Sequence, residues 1–154
     1  MNLVLFWRGE NMCRFIVILG LAAFLALMGG CGGHKPDAGV NVKGKLTKGG
    51  QPVTVPNMAA RVGTVKVELY PIHTDPNDGR SSFGTLANED GTFEIVGEGK
   101  GVKPGKYKLS VIADPGDGQD QLGGKYGEAN STLEFEISAN NVGGTQNLGD
   151  IKLD

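Results

Sequence analysis

The chain has 154 residues, 21% of them charged, with 15 Lys and Arg against 17 Asp and Glu for a formal charge of −2. That near balance, with no basic cluster along the chain, excludes nucleic-acid binding through phosphate contacts. Only two cysteines are present, which excludes a disulfide-stapled scaffold, and 26 glycines with 7 prolines cut the chain into segments too short for long helices.

Residues 12–31 read MCRFIVILGLAAFLALMGGC. One positive charge, Arg14, precedes an unbroken apolar run over residues 15–28, and small residues follow it. This order is that of a secretory signal peptide. The run falls short of the roughly 20 apolar residues that a membrane-spanning helix needs. Glu10 interrupts the charged start that the first eleven residues would have to supply, so translation is expected to begin at Met12. The ending Met28-Gly29-Gly30-Cys31 resembles the lipobox of bacterial lipoproteins. In that family the cysteine is lipidated and becomes the first residue of the mature chain. The resemblance implies a lipoprotein signal over residues 1–30, forming an N-terminal signal helix, with lipidation at Cys31. It also implies a mature protein in the cell envelope, anchored to a membrane on the extracytoplasmic side. Cys13 then leaves with the leader and Cys31 carries lipid, so no thiol remains for a disulfide or a metal.

Residues 31–39 form a polar tether that contains His34, and a single domain is expected over residues 40–154. Val40, Val42 and Leu46 alternate with Asn41, Lys43 and Lys45, the pattern of a half-buried strand. Residues 47–52 read as a turn. Residues 64–70 alternate again, with Val65, Val67 and Leu69 inward and Lys66 and Glu68 outward. A weaker strand over 82–87 leads through Asn88-Glu89-Asp90-Gly91 into residues 92–96, a hairpin signal in which Gly91 takes the positive φ. Residues 106–113 are expected to bury Tyr107, Leu109 and Val111. Residues 133–137 are expected to bury Leu133, Phe135 and Ile137, and residues 149–153 to bury Ile151 and Leu153. Roughly seven short strands separated by turn signals predict an all-β sandwich whose sheets meet through their apolar faces.

The stretch Val42-Lys43-Gly44-Lys45-Leu46-Thr47-Lys48-Gly49-Gly50-Gln51-Pro52-Val53 resembles the opening of carboxypeptidase regulatory-like domains, a transthyretin-like group. Asn88-Glu89-Asp90-Gly91-Thr92-Phe93 and Pro104-Gly105-Lys106-Tyr107-Lys108-Leu109-Ser110-Val111 agree with it. Lys125-Tyr126, ahead of the last strands, is similar to the small bacterial lipoproteins that carry this domain alone. The resemblance covers nearly the whole mature chain. It implies a seven-stranded transthyretin-like or Ig-like β-sandwich serving as a non-catalytic accessory or surface module. Its motifs are turn and strand signals, which specify fold rather than activity.

Residues that carry chemistry are sparse. The mature chain offers His34 in the tether and His73 in a loop, with no nucleophile elbow and no HExxH motif. Transthyretin-like enzymes that hydrolyse a purine breakdown product use histidines, an arginine and a Tyr-Arg-Gly-Ser-type ending. Here the last residues are Asp150-Ile151-Lys152-Leu153-Asp154, so that activity is not carried over. Residues 39–46 match phosphate-loop spacing only up to Lys45, because Leu46 replaces the metal-binding hydroxyl and the segment alternates as a strand. An isopeptide crosslink needs a core lysine, whereas Lys43 and Lys45 point outward. Aromatic platforms for sugar are limited to Phe83, Phe93, Phe135, Tyr70, Tyr107 and Tyr126, at least three of them at core positions.

Two loops, residues 75–79 and 114–120, are rich in oxygen ligands, and calcium takes about six to eight. Neither loop closes with the EF-hand glutamate, and Asp, Asn, Gly and Pro are equally the residues of solvated turns. Asp114, Asp117 and Asp120 remain weak calcium candidates. The expected function is a lipid-anchored, non-enzymatic envelope module with a binding or structural role and no cofactor. Its partners are the membrane, through lipid at Cys31, and an envelope protein or polysaccharide. The contact region expected is the loop opened by Asp114 and closed by Gly127, read as the least ordered part of the domain. The alternative is a small envelope hydrolase or metal-dependent enzyme using His73 with Asp75 or Asp78.

Overall fold

A computed structural model describes residues 38–73 and 79–154. The leader with its signal helix, Cys31, the tether through Asp37, and the loop carrying Asp75 and Asp78 lie outside the described residues. Strand β1, Asn41–Lys48, buries Val42, Gly44 and Leu46 while Lys43 points to solvent. Gly44 is inside because a Cβ there would come within 2.7 Å of the Phe93 ring, which occupies the space. Gly49 and Gly50, at φ 58° and 79°, turn the chain back as a two-residue hairpin. Strand β2, Gln51–Pro52, then pairs with Thr47 and Lys48. The stretch read as a turn therefore holds a short strand of its own.

The remaining strands are β3 Thr64–Pro71, β4 Phe83–Leu86, β5 Thr92–Ile95, β6 Gly105–Asp114, β7 Glu134–Ile137 and β8 Thr145–Leu153. They form two four-stranded sheets among the described residues. One runs β2-β1-β5 with β8 also on β1; the other runs β4-β3-β6-β7. Apolar residues of both sheets share one core cluster, with Val42, Leu46, Phe93 and Ile151 from the first and Val67, Leu69, Tyr107 and Leu109 from the second. The architecture is β-sandwich-like, and among the described residues helix is limited to single 3-10 turns.

Two pairings depart from the expectation. Residues 88–91 do not close a hairpin within one sheet: β4 pairs with β3 and β5 with β1, so the turn carries the chain from one sheet to the other. Gly91 (φ 80°) is needed there because a Cβ would lie 2.5 Å from the Leu46 carbonyl oxygen. Strand β8 lies parallel to β1 and starts four residues before the expected segment, at Thr145. A bulge at Gly149 (φ 73°) shifts its register between the Lys43 and Lys45 pairings. Inward residues therefore change from Gln146 and Leu148 to Ile151 and Leu153, the parity flip that one extra residue imposes. Leu133 and Phe135, expected in the core, are only half-buried and pack against its margin.

Candidate functional site

Strand direction gives the domain two ends. At the near end the chain enters at Gly39, whose N–H donates to the Lys100 carbonyl and whose carbonyl accepts from Gly143. Gly39 and Gly101 sit so close that a Cβ on either would lie 2.4 Å from the other's backbone. The far end carries the β1–β2 turn, the 88–91 turn, the loop between β2 and β3, and the loop between β6 and β7.

The β6–β7 loop contains the contact region expected from sequence, and its geometry is that of a strap. β7 pairs with β6 only from Gly105 to Lys108, leaving the rest of that edge without a strand partner. The loop supplies the missing bonds. The N–H of Leu109 donates to the Leu133 carbonyl (2.8 Å) and that of Val111 to the Tyr126 carbonyl (2.8 Å). The Ser131 hydroxyl donates to the Leu109 carbonyl. The N–H of Ala113 donates to the Asp120 carboxylate (2.9 Å), and the Ala113 carbonyl accepts from Gln121 (2.8 Å). An uncovered edge invites pairing with other chains, and this loop closes it. Tyr126 is buried, with its hydroxyl donating to the Asp154 carbonyl at 3.0 Å. Far from being loosely ordered, the segment is bonded along its length.

The three aspartates serve that construction. Asp114 Oδ1 accepts from the N–H groups of Gly116 (2.7 Å) and Gly118 (3.0 Å), and Asp117 Oδ1 from Gln119 (2.9 Å). Asp120 accepts from Ala113, Leu122 (3.0 Å) and Gly124 (2.8 Å). These are side-chain turns in which the carboxylates face their own backbone. Among the described residues no group of three or more His, Cys, Asp or Glu is placed to hold a metal ion. Asp120→Ala is expected to cost about 2–3 kcal/mol, since one half-buried carboxylate satisfies three amides. Asp117→Ala, at an exposed turn, should cost under about 1 kcal/mol. Denaturant unfolding measures both; equal costs would contradict the strap.

His73 is exposed just beyond β3. Beside it, Arg80 donates to the carbonyls of Ile72 (2.8 Å) and Lys106 (3.1 Å), and its guanidinium lies 5.3 Å from the Tyr107 ring centroid. Gly105 leaves the space, because a Cβ there would fall 1.8 Å from Arg80 Nη1. Sequence reading missed this arginine, whose partners are set by the meeting of β3 and β6. It also missed a polar cluster on the outer face of β3. There the Tyr70 hydroxyl donates to Glu68 (2.9 Å) and Lys66 reaches the other Glu68 oxygen (2.9 Å). Burial first, and then Glu68 and the charge of Glu128, push the Tyr70 pKa up to about 12. The phenol therefore stays protonated at neutral pH, a hydrogen-bond donor and not a base.

The far end also holds an open cleft of about 490 Å³, lined by Met58, Arg61, Thr85, Leu86 and Glu89. Asn57 and Arg61, at φ 59° and 56°, curl the β2–β3 loop so that Val62 and Gly63 both donate to the Asn57 carbonyl. Gly63 is required, since a Cβ would lie 2.1 Å from the Pro56 oxygen. Leu86, one of its lining residues, exposes about half of its surface, 52%. Apolar Met58 and Leu86 beside Thr64, Thr85 and Asn88, with one cation and one carboxylate, suit recognition of a mixed surface. No family model and no curated protein matches this chain.

Proposed function

We propose that this protein is a lipid-anchored, non-enzymatic module of the cell envelope, a transthyretin-like β-sandwich held at Cys31 that presents its far end to an envelope protein or polysaccharide. The observation that carries this reading is the division of labour between the ends. The chain enters at Gly39, while the Met58–Arg61 cleft and the strapped loop of residues 114–127 share the opposite end. A pre-formed surface loses little freedom when it binds, which favours recognition. The carboxylates that suggested chemistry are bonded to backbone amides, which supports a shaped surface over a reactive one. The test is crosslinking on intact cells with two variants. Arg61→Glu should abolish the crosslinked complex, and His73→Ala should leave both the complex and the metal content unchanged. Loss with His73→Ala but not with Arg61→Glu would move the assignment to the hydrolase or metal-dependent enzyme.

A further inference from the structure

We infer that the far-end cleft takes an extended peptide segment of an envelope protein, which adds as a further strand along the open edge of β4. The inference deepens the reading of the far end as the recognition surface and rests on it. Among the described residues β4 is the last strand of its sheet, paired with β3 alone. The Ala87 N–H donates to the Val65 carbonyl, so in this antiparallel ladder the main-chain groups of Thr85 and Phe83 also face β3. Those of Gly84 and Leu86 therefore face outward, two donors and two acceptors along one edge. Elsewhere the same sheet covers its edge. The strap bonds the exposed part of β6. At β7 the outward Glu136 carbonyl accepts from Gln146 Nε2 (2.8 Å), and the Ser138 N–H donates to Gln146 Oε1 (2.8 Å). No described residue covers Gly84 and Leu86 in this way, and an open edge is a template for strand addition.

The cleft follows this edge. Ala87 is buried on the core side and Leu86 is exposed on the outer face, yet Thr85, Leu86 and Ala87 all line it, as they do when a cleft runs along a strand's rim. A strand seated there gains main-chain hydrogen bonds and lays apolar side chains on Leu86 and Met58. Arg61 and Glu89 stand on different walls, one on the β2–β3 loop and one on the turn after β4, and the described ion pairs include neither. Around the cleft Glu68, Glu89, Asp90 and Asp114 outnumber Arg61 and Lys66, and Lys66 is already held by Glu68. A uniformly acidic segment is therefore repelled. An apolar strand that brings one carboxylate to Arg61 and one cation to Glu89 fits. A polysaccharide has no amide row to match the edge. A second copy joined through β4 would share an edge of four residues, too little for the roughly 800 Å² per partner of a stable interface.

The test pans a phage-displayed library of random dodecapeptides on the full chain in detergent micelles and measures the selected peptides by fluorescence anisotropy. These should carry an acidic residue among apolar ones, and Arg61→Glu should weaken their binding at least about tenfold. Leu86→Pro should do the same, because proline deletes an N–H that the fold leaves outward, whereas Leu86→Ala keeps that N–H and should weaken binding less. Methylation of alternate peptide amides reads the same pairing on the wild-type chain: one set should abolish binding and the other leave it. Selection of no peptide, or binding indifferent to Leu86→Pro and to both methylated sets, would overturn the strand. So would a dimer of this chain that Leu86→Pro dissolves. On intact cells, a crosslinked complex lost with Arg61→Glu but kept with Leu86→Pro would overturn the strand and leave the far end as the recognition surface. A complex kept with Arg61→Glu would overturn both.

Discussion

Replacement of Tyr107 by alanine is expected to cost about 4–5 kcal/mol, the upper end for truncation of a buried aromatic. The ring is fully buried, at 0% exposure, on the inner face of β6. Its hydroxyl donates to the Lys103 carbonyl at 2.8 Å, and Arg80 lies against its face. Truncation removes core packing, strands that carbonyl and releases the support for Arg80. Tyr107→Phe keeps the packing and loses only the hydrogen bond, so about 1 kcal/mol is expected. Phe135, on the same alternating pattern but half-buried, should lose only about 1–2 kcal/mol on truncation to alanine. Denaturant unfolding of the three variants gives the ranking. A Tyr107→Ala cost below about 1 kcal/mol would place that ring outside the core.

The different fates of Tyr107 and Phe135 mark where the sequence is readable. Alternation identifies β1, β3 and β6 because each has one face against the core for most of its length. It overstates β7, where four residues at a sheet edge put Phe135 beside the core. It loses half of β8, because the Gly149 bulge moves the inward positions from even to odd residue numbers and breaks the period. Partnership is harder to read than existence. Gly91 correctly marks a tight turn, yet nothing local distinguishes a turn within one sheet from one that crosses between two.

The candidate site was legible in composition and not in role. Asp114, Asp117 and Asp120 attract notice as oxygen ligands, but the same residues build turns, and the choice depends on where backbone N–H groups fall. Here Asp120 accepts from Ala113, seven residues away on β6, a contact that only the folded course of the loop creates. The cleft at Met58 and Arg61 joins residues 58–64 to residues 85–89, and no motif spans that separation. Arg80 and Gly105 are a similar case, since the glycine makes sense only once the guanidinium is laid across it.

The proposed lipidation at Cys31 carries the largest expected effect of all, because it is all or none. Cys31 is the only cysteine left once residues 1–30 are removed. One acyl chain holds a protein to a bilayer only marginally, so stable attachment requires the several chains that lipoproteins carry. Cys31→Ser changes no described contact of the domain and should leave it folded. The direct measurement is incorporation of labelled palmitate together with membrane partition, in the wild-type chain and in Cys31→Ser. The account predicts label and membrane association for the wild type, and neither for a folded, soluble Cys31→Ser. Label taken up by Cys31→Ser, or a wild-type chain that takes up none, would contradict it.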